Sequence, residues 1–67
     1  MYKFKKNKLS YIKQFNLSQI AREIGITYVY LTNIIHNKKN CKKTVAYCIT
    51  KIIDEKAEIN EYFIEII

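Results

Sequence analysis

Residues 38–43, Lys-Lys-Asn-Cys-Lys-Lys, place four ammonium groups in one short run. Such a run neutralises a polyanion and displaces its counterions. The other reactive side chains nearby are His36, Cys41 and Cys48. They make three metal-ligating groups, one short of a structural zinc set, so neither a metal nor any cofactor is expected. Core or surface places are expected instead, with Cys48 as a small core residue, Cys41 at the entry to a helix and His36 at a helix end. No nucleophile–base pair is visible, and a chain with one glycine has no glycine-rich phosphate loop. The chain is therefore not expected to be an enzyme. Cys41 and Cys48 lie two helical turns apart, too far for a bridge within one helix. Free thiols, with no signal peptide and no run long enough to span a membrane, lead to the expectation of a cytoplasmic protein.

The elements that position these groups follow from size and pattern. Sixty-seven residues allow one domain, spanning 1–67, and 49% of them are apolar, which suits a folded chain rather than a disordered tail. There is no proline, no linker composition and no repeat. The net charge of +6 is unevenly spread. Residues 1–43 carry ten cations against Glu23 alone, whereas residues 44–67 carry two cations against five acids. A basic half of this kind suits nucleic acid or an anionic membrane surface. The membrane is the weaker candidate, because the apolar stripes are narrow and the charges around them little segregated.

Five helices are expected. Met1–Lys8 alternates lysine with Tyr2 and Phe4, and reads as a frayed arm or the start of helix 1. Leu9, Ile12 and Phe15 suit a short helix to about Gln14. Asn16 is a strong N-cap for helix 2, with Gln19 at the capping-box position and Phe15 and Ile20 placed as a hydrophobic staple. Ile20, Ala21 and Ile24 form its buried face. Gly25 marks a position that needs a left-handed or crowded backbone. Thr27 caps helix 3, which buries Leu31, Ile34 and Ile35 over Tyr28 to about Ile35 and leaves Tyr28, Val29, Thr32 and Asn33 on the other side. Tyr30 is expected to be half-buried. Asn37 follows in a position where a left-handed residue ends the helix. Val45, Cys48, Ile49, Ile52 and Ile53, with Ala46 beside them, give helix 4. Ile59, Tyr62, Phe63 and Ile66 give helix 5. The expected fold class is all-α.

Ile20-Ala21-Arg22-Glu23-Ile24-Gly25-Ile26-Thr27 and Tyr30-Leu31-Thr32-Asn33-Ile34-Ile35-His36-Asn37-Lys38-Lys39-Asn40 resemble the lambda-repressor-like, Xre/Cro-type helix-turn-helix family of phage and bacterial regulators. The family often writes the second stretch Tyr-Leu-Ser-x-Ile-Leu-Asn-Gly-Lys-Arg-Asn. Asn40-Cys41 through Lys51 and Ile59-Asn60-Glu61-Tyr62-Phe63 look like its short phage-encoded members. The resemblance implies a compact five-helix domain with the helix-turn-helix at helices 2 and 3. It further implies sequence-specific double-stranded DNA binding by a Cro-like transcriptional regulator, encoded by a phage or mobile element.

By matching positions, Tyr28, Val29, Thr32 and Asn33 would face base edges in the major groove. There Asn33 can pair with adenine, and Val29 and the Thr32 methyl can touch a thymine methyl. Phosphates would meet the N-terminus of helix 2, with Ser18 or Gln19 adding a side-chain bond, and Lys38, Lys39, Asn40, Lys42 and Lys43. Lys3, Lys5, Lys6 and Lys8 would run along the backbone as an arm. In two respects the chain departs from the family. Asn37 replaces the usual glycine after helix 3, which the backbone tolerates. Leu17 stands where a phosphate-anchoring glutamine commonly opens helix 2. Because Tyr62, Phe63, Ile64, Ile66 and Ile67 exceed what one small core needs, a homodimer on a palindromic site is expected. The alternative is a protein-binding module on the same scaffold, an antirepressor or an inhibitor of a host nucleic-acid enzyme, with a protein partner at the Tyr28-Val29-Tyr30 tip.

Overall fold

Asn16 and Thr27 each start a helix, and both do so through the side chain. In the computed structural model, which describes residues 1–66, the Asn16 Oδ1 accepts the Gln19 N–H at 3.1 Å and the Thr27 Oγ1 accepts the Tyr30 N–H at 3.0 Å. Each cap satisfies one backbone donor that helix geometry leaves orphaned. The helices they open are α2, Leu17–Ile24, and α3, Tyr28–Ile35. Before them lie a strand β1, Tyr2–Phe4, a 3-10 turn over Lys6–Lys8, and α1, Leu9–Ile12. After them come α4, Lys43–Ile53, α5, Ile59–Tyr62, and a second strand β2, Phe63–Glu65.

Both central helices end on a left-handed residue. Gly25 has φ 89°, and the N–H groups of Gly25 and Ile26 return to the Ala21 carbonyl at 2.9 and 3.0 Å. A Cβ placed on Gly25 would meet no atom within 4 Å, so conformation, not crowding, requires glycine there. Asn37 has φ 62°; its N–H reaches the Ile34 carbonyl at 3.1 Å, and the Lys38 N–H reaches the Asn33 carbonyl at 2.8 Å. That bond pair is a Schellman closure, in which asparagine does the work usually given to glycine.

The all-α expectation is overturned. β1 and β2 form a two-stranded antiparallel sheet with Tyr2 opposite Glu65, Lys3 opposite Ile64 and Phe4 opposite Phe63. The fold is mixed, five α-helices with a small sheet that joins the two ends of the chain. Two elements therefore differ from expectation. The N-terminal segment is a paired strand, neither a frayed arm nor the start of α1. The fifth helix stops at Tyr62 and continues as strand. Local pattern favoured helix at the C-terminus because Ile59, Tyr62, Phe63 and Ile66 repeat at helical spacing. Pairing with a strand from the far end satisfied the backbone instead, and it put Phe63 into the core. The alternation of Tyr2 and Phe4 with Lys3 and Lys5 is a period-two signal that agrees with this outcome.

One core gathers Phe4, Ile12, Ile20, Ala21, Leu31, Ile34, Ile35, Ala46, Ile49, Ile53, Tyr62 and Phe63, all buried. α2 packs against both α3 and α4, with Ala21 and Ala46 buried on two of the facing helices. The face that α4 buries is turned from the expected stripe. Ala46, Ile49, Thr50 and Ile53 are buried, Val45 and Ile52 only half-buried, and Cys48 exposed. Thr50 tolerates the interior because its hydroxyl donates to the Ala46 carbonyl at 2.8 Å. α1 is shorter than expected, ending at Ile12, with the Gln14 N–H closing a turn on the Tyr11 carbonyl.

Candidate nucleic-acid interface

α3 presents a clear division of faces. Leu31, Ile34 and Ile35 are buried, and Tyr30 is half-buried against the core. Tyr28 is 51% exposed and Val29 65% exposed, while Thr32 and Asn33 are partly exposed on the same outward side. Tyr28, Val29, Thr32 and Asn33 thus lie together on one helical face, as their spacing requires. They offer mixed chemistry. Val29 and the Tyr28 ring are apolar. The Thr32 hydroxyl is engaged with the Val29 carbonyl at 2.9 Å, which turns its bonding capacity inward. Asn33 contributes a carboxamide, able to give and take hydrogen bonds at once. His36 closes the helix, with Nδ1 3.1 Å from the Thr32 carbonyl.

The basic loop is tied directly to the end of this helix. The Asn33 carbonyl accepts the N–H groups of both Lys38 and Lys39, at 2.8 and 3.2 Å. Lys39 Nζ lies 5.9 Å from the centre of the Tyr30 ring, within cation–π range. Lys38, Lys39, Asn40, Lys42 and Lys43 are all exposed. The loop's far end is fixed by Cys41, whose backbone exchanges two 2.8 Å hydrogen bonds with Tyr2 of β1. Cys41 itself is buried, and that burial pushes its thiol up to about 11, the chain's N-terminal ammonium opposing the shift.

Lys42 and Lys43 occupy an electrostatically adverse place. Lys42 is the N-cap of α4 without a side-chain cap, and the first turn of that helix contains no acid. Cations at the positive end of a helix dipole oppose it, typically by about 0.3–1 kcal/mol. An anion bound at this end would relieve the repulsion and meet the unpaired N–H groups of the first turn.

Ser18 and Gln19 are exposed at the start of α2, on a different element from the loop. Asn16 takes up the Gln19 N–H, so the N–H groups of Leu17 and Ser18 remain without an intrahelical partner. Leu17 itself is half-buried against the core and turns its side chain to packing.

The remaining expected groups are scattered. Cys41 is buried and Cys48 exposed, the reverse of a core place for Cys48. Among the described residues, no three His, Cys, Asp or Glu side chains gather as metal ligands. Among the same residues no helix is long and apolar enough to cross a membrane. Of the apolar C-terminal residues expected to divide between the core and a dimer surface, Tyr62 and Phe63 are buried, Ile66 is half-buried, Ile64 is 45% exposed, and Ile67 lies outside the described residues.

The four N-terminal lysines separate into two groups. Lys8 Nζ sits 5.2 Å from the centre of the Tyr62 ring, on the side of α1. Lys3, Lys5 and Lys6 line a groove with Asn7 and Asn37, so the strand brings them beside the end of α3. Reading these lysines as an arm missed that placement, because it depends on a strand partner at the other end of the chain.

No protein-family model, no curated protein and no solved structure matches the chain.

Proposed function

We propose that this chain is a small sequence-specific double-stranded DNA-binding regulator of the Cro-like kind, with α2 and α3 acting as a helix-turn-helix. One observation carries the proposal: the outward face of α3, with Tyr28, Val29, Thr32 and Asn33, is joined without a break to the exposed cationic loop Lys38–Lys43. A helix with a free carboxamide and free apolar groups on its outer face can read the donors, acceptors and thymine methyls of the major groove. Asn33 pairs with adenine, and Val29 and the Thr32 methyl meet thymine. Lys38, Lys39, Asn40, Lys42 and Lys43 hold one phosphate backbone. Ser18, Gln19 and the free N–H groups of α2 hold the other. Binding as a homodimer would place two α3 helices on half-sites about one helical turn apart.

Selection from a random duplex pool at moderate salt tests this. Enrichment of a palindromic motif supports sequence-specific, two-fold binding. Recovery of no motif overturns it.

The exposed Tyr28 and Val29 favour a second function, a protein-binding module on the same scaffold. It predicts DNA binding blind to sequence, together with a defined protein partner captured after nuclease treatment and lost in the variant Val29→Asp.

A further inference from the structure

Lys3, Lys5, Lys6, Asn7 and Asn37 line an open groove of about 510 Å³ on the outer side of the small sheet, beside Ile64. We propose that this groove is a second phosphate-binding site, which takes a backbone phosphodiester of the DNA beyond the part read by α3. The inference rests on the DNA-binding function proposed above and extends its footprint onto the strand.

Three features support it. First, the lining contains three lysines and no acid. A cleft beside α4 and α5 contrasts with it, since Glu58 and Glu65 accompany Lys43 and Lys51 there. A groove with uncompensated ammonium groups favours an oxyanion.

Second, the lysines are held rather than loose. Lys3 lies opposite Ile64 in the β-ladder, and the Lys5 N–H donates to the Tyr62 carbonyl at 2.8 Å. Immobilising the backbone before binding lowers the ordering cost that a free terminal arm would carry.

Third, Asn37 is a polar group in need of a partner. Its Oδ1 is buried and accepts no hydrogen bond. A phosphodiester has only acceptor oxygens and cannot meet Oδ1 itself; beside one, the amide NH2 can donate to a phosphate oxygen while a groove lysine ammonium donates to Oδ1. Asn37 also immediately precedes Lys38 in the sequence, where the basic loop begins.

The test compares the wild-type chain with Lys3→Gln/Lys6→Gln and with Asn37→Gly on a duplex carrying the selected motif with flanking base pairs. Lys3 and Lys6 are exposed, so their replacement leaves the core intact. Glycine adopts φ 62° freely, so Asn37→Gly keeps the turn while removing the amide. The expected results are a log–log salt slope shallower by about one to two units for the lysine variant, at about 0.9 per phosphate contact, with base preference unchanged. Asn37→Gly is expected to lose about tenfold in affinity, as befits a hydrogen bond to a charged group, with a melting temperature no lower than wild type. An unchanged slope and affinity, with wild-type duplex binding intact, overturn the groove alone. Failure of the wild type to bind any duplex overturns the groove and the DNA-binding function together.

Discussion

Phe4 and Phe63 face each other across the antiparallel pair, edge to face, with ring centroids 5.2 Å apart and planes at 78°. Both are buried, and they come from opposite ends of the sequence. The contact adds a buried side-chain pair to the ladder that holds β1 against β2. Aromatic pairs in this geometry contribute roughly 0.5–1.5 kcal/mol beyond their burial.

Truncating either ring opens the core. Phe4→Ala or Phe63→Ala should lose about 3–5 kcal/mol, most of the stability of a domain this small. Phe4→Leu should be milder and should leave a folded protein. Urea denaturation of the two single variants Phe4→Leu and Phe63→Leu and of the double variant measures the coupling. Strict additivity would show that the two rings act independently.

Gly25→Ala should cost about 1–2 kcal/mol through the left-handed backbone alone, because the added methyl meets no atom. Gly25→Asn should cost less, since asparagine tolerates that region, as Asn37 shows. Thermal unfolding gives the ranking glycine, asparagine, alanine. Equal melting temperatures for all three would remove the conformational argument.

On DNA, Asn33→Ala should weaken discrimination at one base pair by about 1–3 kcal/mol while binding to other sequences changes little. Lys38→Gln/Lys39→Gln should instead weaken all duplexes alike and reduce the salt slope by about 1.8 units. Fluorescence anisotropy against the selected site and its single-base variants separates the two patterns. If Asn33→Ala leaves base preference untouched, α3 does not read bases through that side chain.

Tyr62 makes the fold sensitive to alkali. Its hydroxyl donates to Asp54 Oδ2 at 3.3 Å and its ring stacks on Tyr11. Burial first, and then the neighbouring Asp54 carboxylate and Tyr11, push the phenol from 10.0 up to about 12. A raised acid is neutral in the fold, so its contribution is complete below the unfolded value and is lost as pH rises through 10.0 toward about 12. Tyr62→Phe should be somewhat less stable near neutrality and lose less stability across that alkaline window. Denaturation curves at stepped pH check the slope; parallel curves for the two proteins would count against the assignment.

The two thiols should differ sharply in reactivity. Cys48 is exposed on α4, whereas Cys41 is buried and its thiol lies at about 11. Iodoacetamide at pH 8 should label Cys48 quickly and Cys41 only after unfolding. Mass mapping of a short exposure reads this directly, and equal labelling of both would mean that β1 detaches from the loop in solution.

Much of this architecture is written in short-range pattern. Asn16 and Thr27 start helices because their side chains reach N–H groups three residues on, and Gly25 and Asn37 end them because they accept positive φ. Those interactions span a few residues, so sequence alone determined the limits of α2 and α3. It also determined the grouping of Tyr28, Val29, Thr32 and Asn33 on one face. The place of Cys48 was not legible, since the turn of α4 about its axis depends on what α2 and α5 offer to it. Nor was the sheet. The helical spacing of Ile59, Tyr62, Phe63 and Ile66 is a local preference, and it yields where the backbone of Phe63–Glu65 finds Tyr2–Phe4 to pair with. A strand needs a partner, and here the partner lies at the other end of the chain, where no local window includes both. Only the tertiary structure could therefore decide that Lys3 on the strand, with Lys5 and Lys6 just after it, stands beside Asn37.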